Sequence, residues 1–293
     1  MTDPVRIADS ELSAEINPLG AELWSLRDAR GRELMTDADP AYWSGRAPIL
    51  FPVVGRPNED VIRVGGVAYP MKQHGFARRI RFDIIETGEA HAAFALRDSA
   101  ETRASYPFAF RLEIAFRLAG VTLRIEARII NPGDASLPAS FGFHPAFAWP
   151  LPYGEPRDAH RIVFSADEPD ALRAVAADGT IATAEKPSPL AGRVLQLNDK
   201  LFACDALVWD HVRSDRVSYG AAGGPRLDIA FPDTPMLGIW TRPGARFVCI
   251  EPWHGIADPE GYSGAFRDKP GVFEVPPGGE KRIVMSVTLV AEP

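Results

Sequence analysis

Two titratable residues stand inside apolar runs of this chain. His144 lies in the stretch ASFGFHPAFAWPL (residues 139–151) and Glu251 in VCIEPWHGIADPEG (residues 248–261). An imidazole or a carboxylate taken out of water needs a partner, because burying an unpaired polar or charged group is costly. Each is therefore either a structural polar group bonded to backbone or one half of an acid–base site. Alternation assigns their faces. Phe141 and Phe143 point to a core, which leaves Gly142 and His144 on the other face, and Pro145 is expected to end the ladder there. In the second stretch Phe247, Cys249 and Glu251 share one face, with Val248 and Ile250 opposite. Such neighbours raise a carboxyl pKa by desolvation.

Other residues gain weight from this company. His74, in YPMKQHGFARRI, precedes Gly75 and lies near Arg78 and Arg79. It reads as a turn histidine bonded to backbone or as a second site imidazole, and the glycine marks a close approach to the backbone. Arg56 is delivered at the end of the apolar run ILFPVVGR. Trp240 lies on the strand before Glu251, in a hairpin turning at Pro243-Gly244, where it serves either the core or an aromatic wall for a sugar ring. His91, His160 and His211 have no such company and read as surface or structural residues. There is no Gly-rich phosphate loop, GxSxG elbow or HExxH helix. Two histidines and one carboxylate (His74, His144, Glu251) can hold iron. Their wide separation argues against that use, and neither metal nor cofactor is expected.

The elements that must position these residues are strands. In FRLEIAFRL (110–118) Phe110, Leu112, Ile114, Phe116 and Leu118 share one face. VTLRIEARI (121–129) repeats the pattern after Ala119-Gly120, which is a hairpin signal. IRFDI (80–84) and IVMSVTL (283–289) alternate as well. Turn signals such as NPLG, VGGV, NPGD, RPGA and PPGGE recur every ten to fifteen residues or so, the spacing of a many-stranded antiparallel fold. With 27 prolines and 25 glycines scattered along the chain, only short helices fit. SAETRASYP and LNDKLFACDAL are the best windows. The expectation is an all-β fold: a large antiparallel β-sandwich with few short helices, spanning 1–293 as a single domain with its site on an open sheet face.

Composition narrows the function classes. The 293 residues are 46% hydrophobic and 24% charged, as in ordinary globular proteins. A net charge of −7 disfavours non-specific nucleic-acid binding, though it leaves room for a local basic pocket. Cys204 and Cys249 are the only cysteines: enough for one disulfide, too few for a disulfide framework or a cysteine-rich zinc site. No apolar run approaches the roughly 18 residues of a membrane span, and the polar N-terminal stretch has no signal-peptide pattern. A cytoplasmic protein with no membrane or nucleic-acid partner is expected. Monomer and homodimer are equally compatible with the sequence.

In order along the chain, NPLGAELWSL, APILFPVVGR, YPMKQHGFAR, FGFHPAF, VCIEPWHGIAD and KPGVFEVPPGGEKR resemble segments of the aldose 1-epimerase (galactose mutarotase-like) family, closest to its bacterial LacX-like branch. The resemblance implies a large β-sandwich that interconverts the α and β anomers of a free aldose without a cofactor. By position it makes His144 the general acid and Glu251 the general base, with His74 orienting the sugar and Arg56 contacting its hydroxyls. Arg78 and Trp240 are implied wall residues. The family's sugar-binding aspartate corresponds to Asp205 or Asp210, both in LFACDALVWDHV. On this assignment the reactive form has Glu251 ionised and His144 protonated. Two rivals stand beside it. One is a hexose-6-phosphate 1-epimerase using Lys72, Arg78, Arg79 and Arg56 as an anion pocket; the other is a non-catalytic carbohydrate-binding or sensing protein.

Overall fold

Alternating hydrophobicity builds two large sheets. The structure, a computed structural model, describes residues 3–291. A nine-stranded antiparallel sheet runs in the order Val194–Gln196, His160–Phe164, Arg216–Ala221, Arg226–Ala230, Glu280–Val290, Thr122–Ile130, Arg111–Ala119, His91–Arg97 and Asp83–Thr87. The hairpin expected around Gly120 is at its centre, with Ala119 paired to Thr122 and Gly120 at φ +57°. Its inward residues, among them Leu112, Ile114, Phe116, Ile125 and Ile129, are buried, as are Ile283, Met285 and Val287 of the long C-terminal strand.

An eight-stranded antiparallel sheet covers this core. Its order is Ile181–Lys186, Leu172–Val175, Leu207–Trp209, Met236–Trp240, Phe247–His254, Phe141–Phe143 and Ile49–Leu50, with Ala146–Ala148 also paired to Phe247–His254. Phe141, Phe143, Leu237, Ile239, Val248 and Ile250 point between the sheets and join the nine-stranded sheet in one continuous core. Full burial of such side chains stabilises the sandwich by about 1.5–3 kcal/mol each. The intervening residues, Glu251 among them, face the other way. There, loops from several parts of the chain rise around the sheet and leave a cleft between them.

Two local expectations shift. The strand read over 80–84 begins at Asp83 instead, because Ile80 closes a 3-10 turn and Phe82 turns into the core, its N–H bonded to the Pro18 carbonyl. Pro145 interrupts the ladder, whose strand stops at Phe143, but does not end the pairing. It lacks an N–H but its carbonyl accepts from Ile250 N–H, and pairing resumes at Ala146. Cys204 and Cys249 are free thiols, the first exposed and the second buried. The two helical windows each hold about one turn: Ala100–Arg103, capped by Ser99, and a 3-10 segment Asp199–Phe202 capped by Asn198. Among the described residues no helix is long and apolar enough to cross a membrane.

Candidate active site

The ladder itself brings His144 to Glu251. Gly142 pairs with Trp253 and Ala146 with Cys249, the same register on both sides of the interruption at His144–Pro145, so His144 stands opposite Glu251 on the neighbouring strand. Directly opposed residues on one face of an antiparallel pair are within side-chain reach. His144 Nε2 lies 3.1 Å from Glu251 Oε2. On the other side Glu251 is paired with Gly238.

Aromatic rings enclose this pair. The Trp43 ring stacks 5.0 Å from the His144 imidazole, and Trp240 meets the same imidazole edge-on at 6.1 Å. Trp253, two residues beyond Glu251 and so on the same face, lies across the sheet between two glycines. A Cβ at Gly238 would come within 2.4 Å of its ring, and one at Gly142 within 2.6 Å. Those positions are glycine because the indole occupies the space a side chain would need. The cleft so formed has a volume of about 420 Å³, within the usual range of roughly 300–1,000 Å³ for small-molecule sites.

Its polar lining comes from three loops and includes Gln73, His74, Arg78, Asp205 and Arg242. His74 sits at φ +64° with its ring 5.7 Å from that of His144. Its Nδ1 accepts from the Gly55 N–H at 3.1 Å, which leaves Nε2 to carry the ring proton of the neutral form. Gly75 is required by a close approach, but to the chain's own backbone: a Cβ there would be 2.1 Å from the Phe51 carbonyl oxygen. Arg78 donates to the Gln73 carbonyl, and its Nε is buried without a partner. Asp205, at φ +72°, lines the cleft and accepts from the Ala206 N–H.

Burial sets the protonation of the central pair. It pushes the Glu251 carboxyl well above the usual carboxylate range, Asp205 adds repulsion, and the nearby Trp253 indole pulls modestly the other way. It pulls His144 down to about 3; the ring's own backbone carbonyl opposes this and Arg78 reinforces it. Both shifts favour the neutral tautomer, in which Glu251 carries the proton and His144 Nε2 accepts it across the 3.1 Å contact. The raised Glu251 carboxyl agrees with the desolvation expected from its apolar neighbours in the sequence, and the reactive form read there, Glu251 ionised and His144 protonated, is reached from this tautomer by one proton transfer. His74 is likewise held neutral, first by burial and then by the charges of its neighbours.

The structure sorts the remaining sequence candidates by place. His144, Glu251, His74, Arg78, Trp240 and Asp205 line one cleft. Arg56 sits at its rim beside Gly179, where its guanidinium pairs with Asp60 and donates to the Asp178 carbonyl. Asp210 lies outside, paired with Arg173 at 2.6 Å. Trp43, Trp253, Gln73 and Arg242 join the lining without having been singled out in the sequence. As for a metal, the donors that converge are His144, Cys249 and Glu251, within 4.8 Å of one another, rather than the triad with His74. Burial and the Glu251 carboxyl push the Cys249 thiol well up, so this donor set is a poor match for a cation that requires a thiolate.

The wide antiparallel sandwich is a galactose mutarotase-like fold. Residues 3–258 match the model of the aldose 1-epimerase family, and the chain belongs to that family. It is 29% identical to the plasmid-encoded protein LacX of Lactococcus lactis subsp. lactis, covering 98% of this chain and 99% of that one. A galactose mutarotase related enzyme from Lactobacillus acidophilus superposes with a TM-score of 0.90 at 29% identity, over 99% of this chain and 98% of that one. A galactose mutarotase-like protein from Lactobacillus casei gives 0.88 at 27% identity, over 98% and 100%.

Proposed function

We propose that the protein is an aldose 1-epimerase that interconverts the α and β anomers of a free aldose. The observation that carries this reading is the opposed His144–Glu251 pair, 3.1 Å apart at a cleft lined by indole rings, which can pass one proton between them. Mutarotation needs one group to take the proton of the anomeric hydroxyl and another to give a proton to the ring oxygen. Both oxygens are bonded to C1, so two side chains in direct contact reach both. As the C1–O5 bond breaks, its electron pair goes to the ring oxygen, which is protonated, and the O1–H pair becomes the C1=O bond. Rotation about C1–C2 presents the other carbonyl face, and closure reverses both transfers.

Glu251 acts as the base and His144 as the acid once the shared proton has crossed to the imidazole. The transfer changes no net charge, and each ring opening returns the pair to the tautomer in which Glu251 is protonated. Trp43, Trp240 and Trp253 pack against the C–H faces of the sugar. The His74 Nε2–H donates to a sugar hydroxyl, Asp205 accepts from one, and Arg78 supplies further donors.

Of the four cations read from the sequence as an anion pocket, only Arg78 lines the cleft, where Arg242 joins it from another loop. Arg79 turns back to the Gly75 carbonyl, Lys72 borders a separate cavity, and Arg56 is paired with Asp60. This arrangement favours a free sugar over a hexose 6-phosphate. The two proton carriers favour an enzyme over a binding protein. Polarimetric relaxation of fresh α-anomers, free and 6-phosphorylated, tests the reading. Acceleration of free aldoses supports it, whereas sugar binding without acceleration makes the protein a carbohydrate binder.

A further inference from the structure

Two charged residues that the proposed chemistry leaves unused meet in the interior. Asp258 ends the run IEPWHGIAD and Lys269 opens KPGVFEVPPGGEKR; their side chains form an ion pair at 2.7 Å, with only 6% and 1% exposure. Burying such a pair rarely gains stability over apolar side chains of similar size, so its presence asks for another role. Its surroundings supply one. Lys269 Nζ donates to the Val54 carbonyl in a long bond of 3.5 Å. That carbonyl and the Gly55 N–H are the two ends of one planar peptide group. The Gly55 N–H donates to His74 Nδ1, and the Gly55 carbonyl accepts from the His74 N–H at 2.9 Å.

Asp258 clamps the same loop from the other side. Its N–H donates to the Arg56 carbonyl, and its Oδ2 accepts from the Asn58 N–H. Gly55 itself is pressed against Ala257, where a Cβ would come within 2.4 Å of the Ala257 backbone. The loop that presents the Gly55 amide is thus held on both flanks by this one ion pair. A cation at the carbonyl end of a peptide group polarises it and strengthens its N–H as a donor.

We propose that the buried Asp258–Lys269 pair is a positioning element that locks His74 in its Nε2–H tautomer, acting through the single peptide group that joins Val54 to Gly55. Nδ1 is kept as the acceptor, so the donor edge of the ring faces the cleft. Beside it the Gln73 side-chain amide places its nitrogen 3.3 Å from Nε2; two donors cannot face each other, so the Nε2–H tautomer requires the amide turned over, with its oxygen as the acceptor. The charged or titratable groups bearing on the ring are His144, Arg78, Arg79 and Lys269, and all disfavour a second proton. That this donor serves a sugar hydroxyl rests on the function proposed above; the tautomer itself does not.

The test uses the full chain with Lys269→Met and Asp258→Asn together, so that no lone charge stays buried and the Asn58 N–H keeps an acceptor. In the unaltered protein, ¹⁵N–¹H correlation spectra should show His74 with Nδ1 unprotonated and Nε2 protonated from pH 5 to 9. In the double variant, mixed His74 tautomers, weakened Gly55 amide protection and a fall in kcat of roughly tenfold to a hundredfold are expected, as for a site residue set loose by about an ångström. A folded double variant with an unchanged His74 tautomer and Gly55 protection overturns the proposal. Should that variant not fold, the unaltered protein still decides: a His74 that carries its proton on Nδ1, or titrates like free imidazole, overturns it as well. Loss of the tautomer lock in a protein that turns over no aldose would leave this inference standing and remove only the assigned reaction.

Discussion

His144 and Glu251 face each other across one antiparallel ladder, imidazole Nε2 to carboxyl Oε2 at 3.1 Å. The backbone register alone sets that distance to first order, so neither residue can be moved to a neighbouring position without losing the other. Glu251→Gln keeps size and most hydrogen-bonding capacity but cannot accept the proton. Turnover should fall by roughly 10²-fold or more while sugar affinity stays within about tenfold. Calorimetry for affinity and magnetisation-transfer NMR for anomer exchange measure the two separately. Near-normal exchange in this variant would remove Glu251 from the mechanism.

The pH dependence follows from a pair that must hold one proton. With His144 depressed to about 3 and Glu251 raised, the singly protonated form spans a wide interval. The rate should be flat through the range in which a free histidine titrates. It should fall only toward pH 3, as His144 takes a second proton, and at alkaline pH, as Glu251 loses the last one. A pH–rate profile with an inflection near 6.5 would show His144 to be better solvated than its surroundings imply.

Stability carries the matching signs. A histidine depressed on folding disfavours the folded state as pH falls below its unfolded value, because the unfolded chain binds the proton more tightly. A carboxyl raised on folding does the opposite, costing stability as pH rises above its own unfolded value. Between the two unfolded values the opposed slopes offset each other. Glu251→Gln should therefore abolish the loss on the alkaline side and leave the acid-side loss that belongs to His144. Urea unfolding at a series of pH values checks this.

Much of this site was legible in the sequence, and the reasons are local. Alternation placed His144 and Glu251 on sheet faces away from the core, and it equally places Trp253, two residues after Glu251, beside them. Trp43 comes from a loop with no period, so no pattern pointed to it. Arg56 looked like a strand-end arginine aimed at a ligand, yet Asp60 four residues on is its partner. Asp205 and Asp210 could not be separated by spacing. Their difference lies in a left-handed backbone at Asp205 and an ion pair to Arg173 at Asp210. The pairing of His144 with Glu251 is a long-range register, which neither segment encodes alone.

Gly238 is a sharp test of the aromatic floor. An alanine there places its Cβ about where the Trp253 ring now is, 2.4 Å from it, so the indole must shift. Overpacking of this kind costs about 1–3 kcal/mol of stability. Sugar affinity should drop with it, and the limb of the pH–rate profile that reports Glu251 should move to higher pH, because the displaced indole no longer pulls the Glu251 carboxyl down. Unfolding measurements and sugar titration of Gly238→Ala check both.

The last contrast is between residues of one type in two places. Arg78 lines the cleft with a buried, unpartnered Nε, and burial with repulsion from Arg79 pulls its guanidinium down to about 10. A donor left unmatched in the protein is one a ligand oxygen can satisfy, and an unpaired buried donor is costly otherwise. Arg56 is already matched by Asp60 and the Asp178 carbonyl at the rim. Arg78→Ala should therefore weaken sugar affinity by roughly tenfold, the worth of a hydrogen bond to a charged group. Arg56→Ala should change it by no more than about threefold, since an exposed ion pair is worth little. The same logic separates Asp205→Asn, which removes a cleft acceptor, from Asp210→Asn, which touches only Arg173. Calorimetric titration of the four variants with free and 6-phosphorylated aldoses decides the substrate as well. A phosphorylated sugar bound far more tightly than the free one, with the preference lost in Arg78→Ala, would move the assignment to a sugar phosphate.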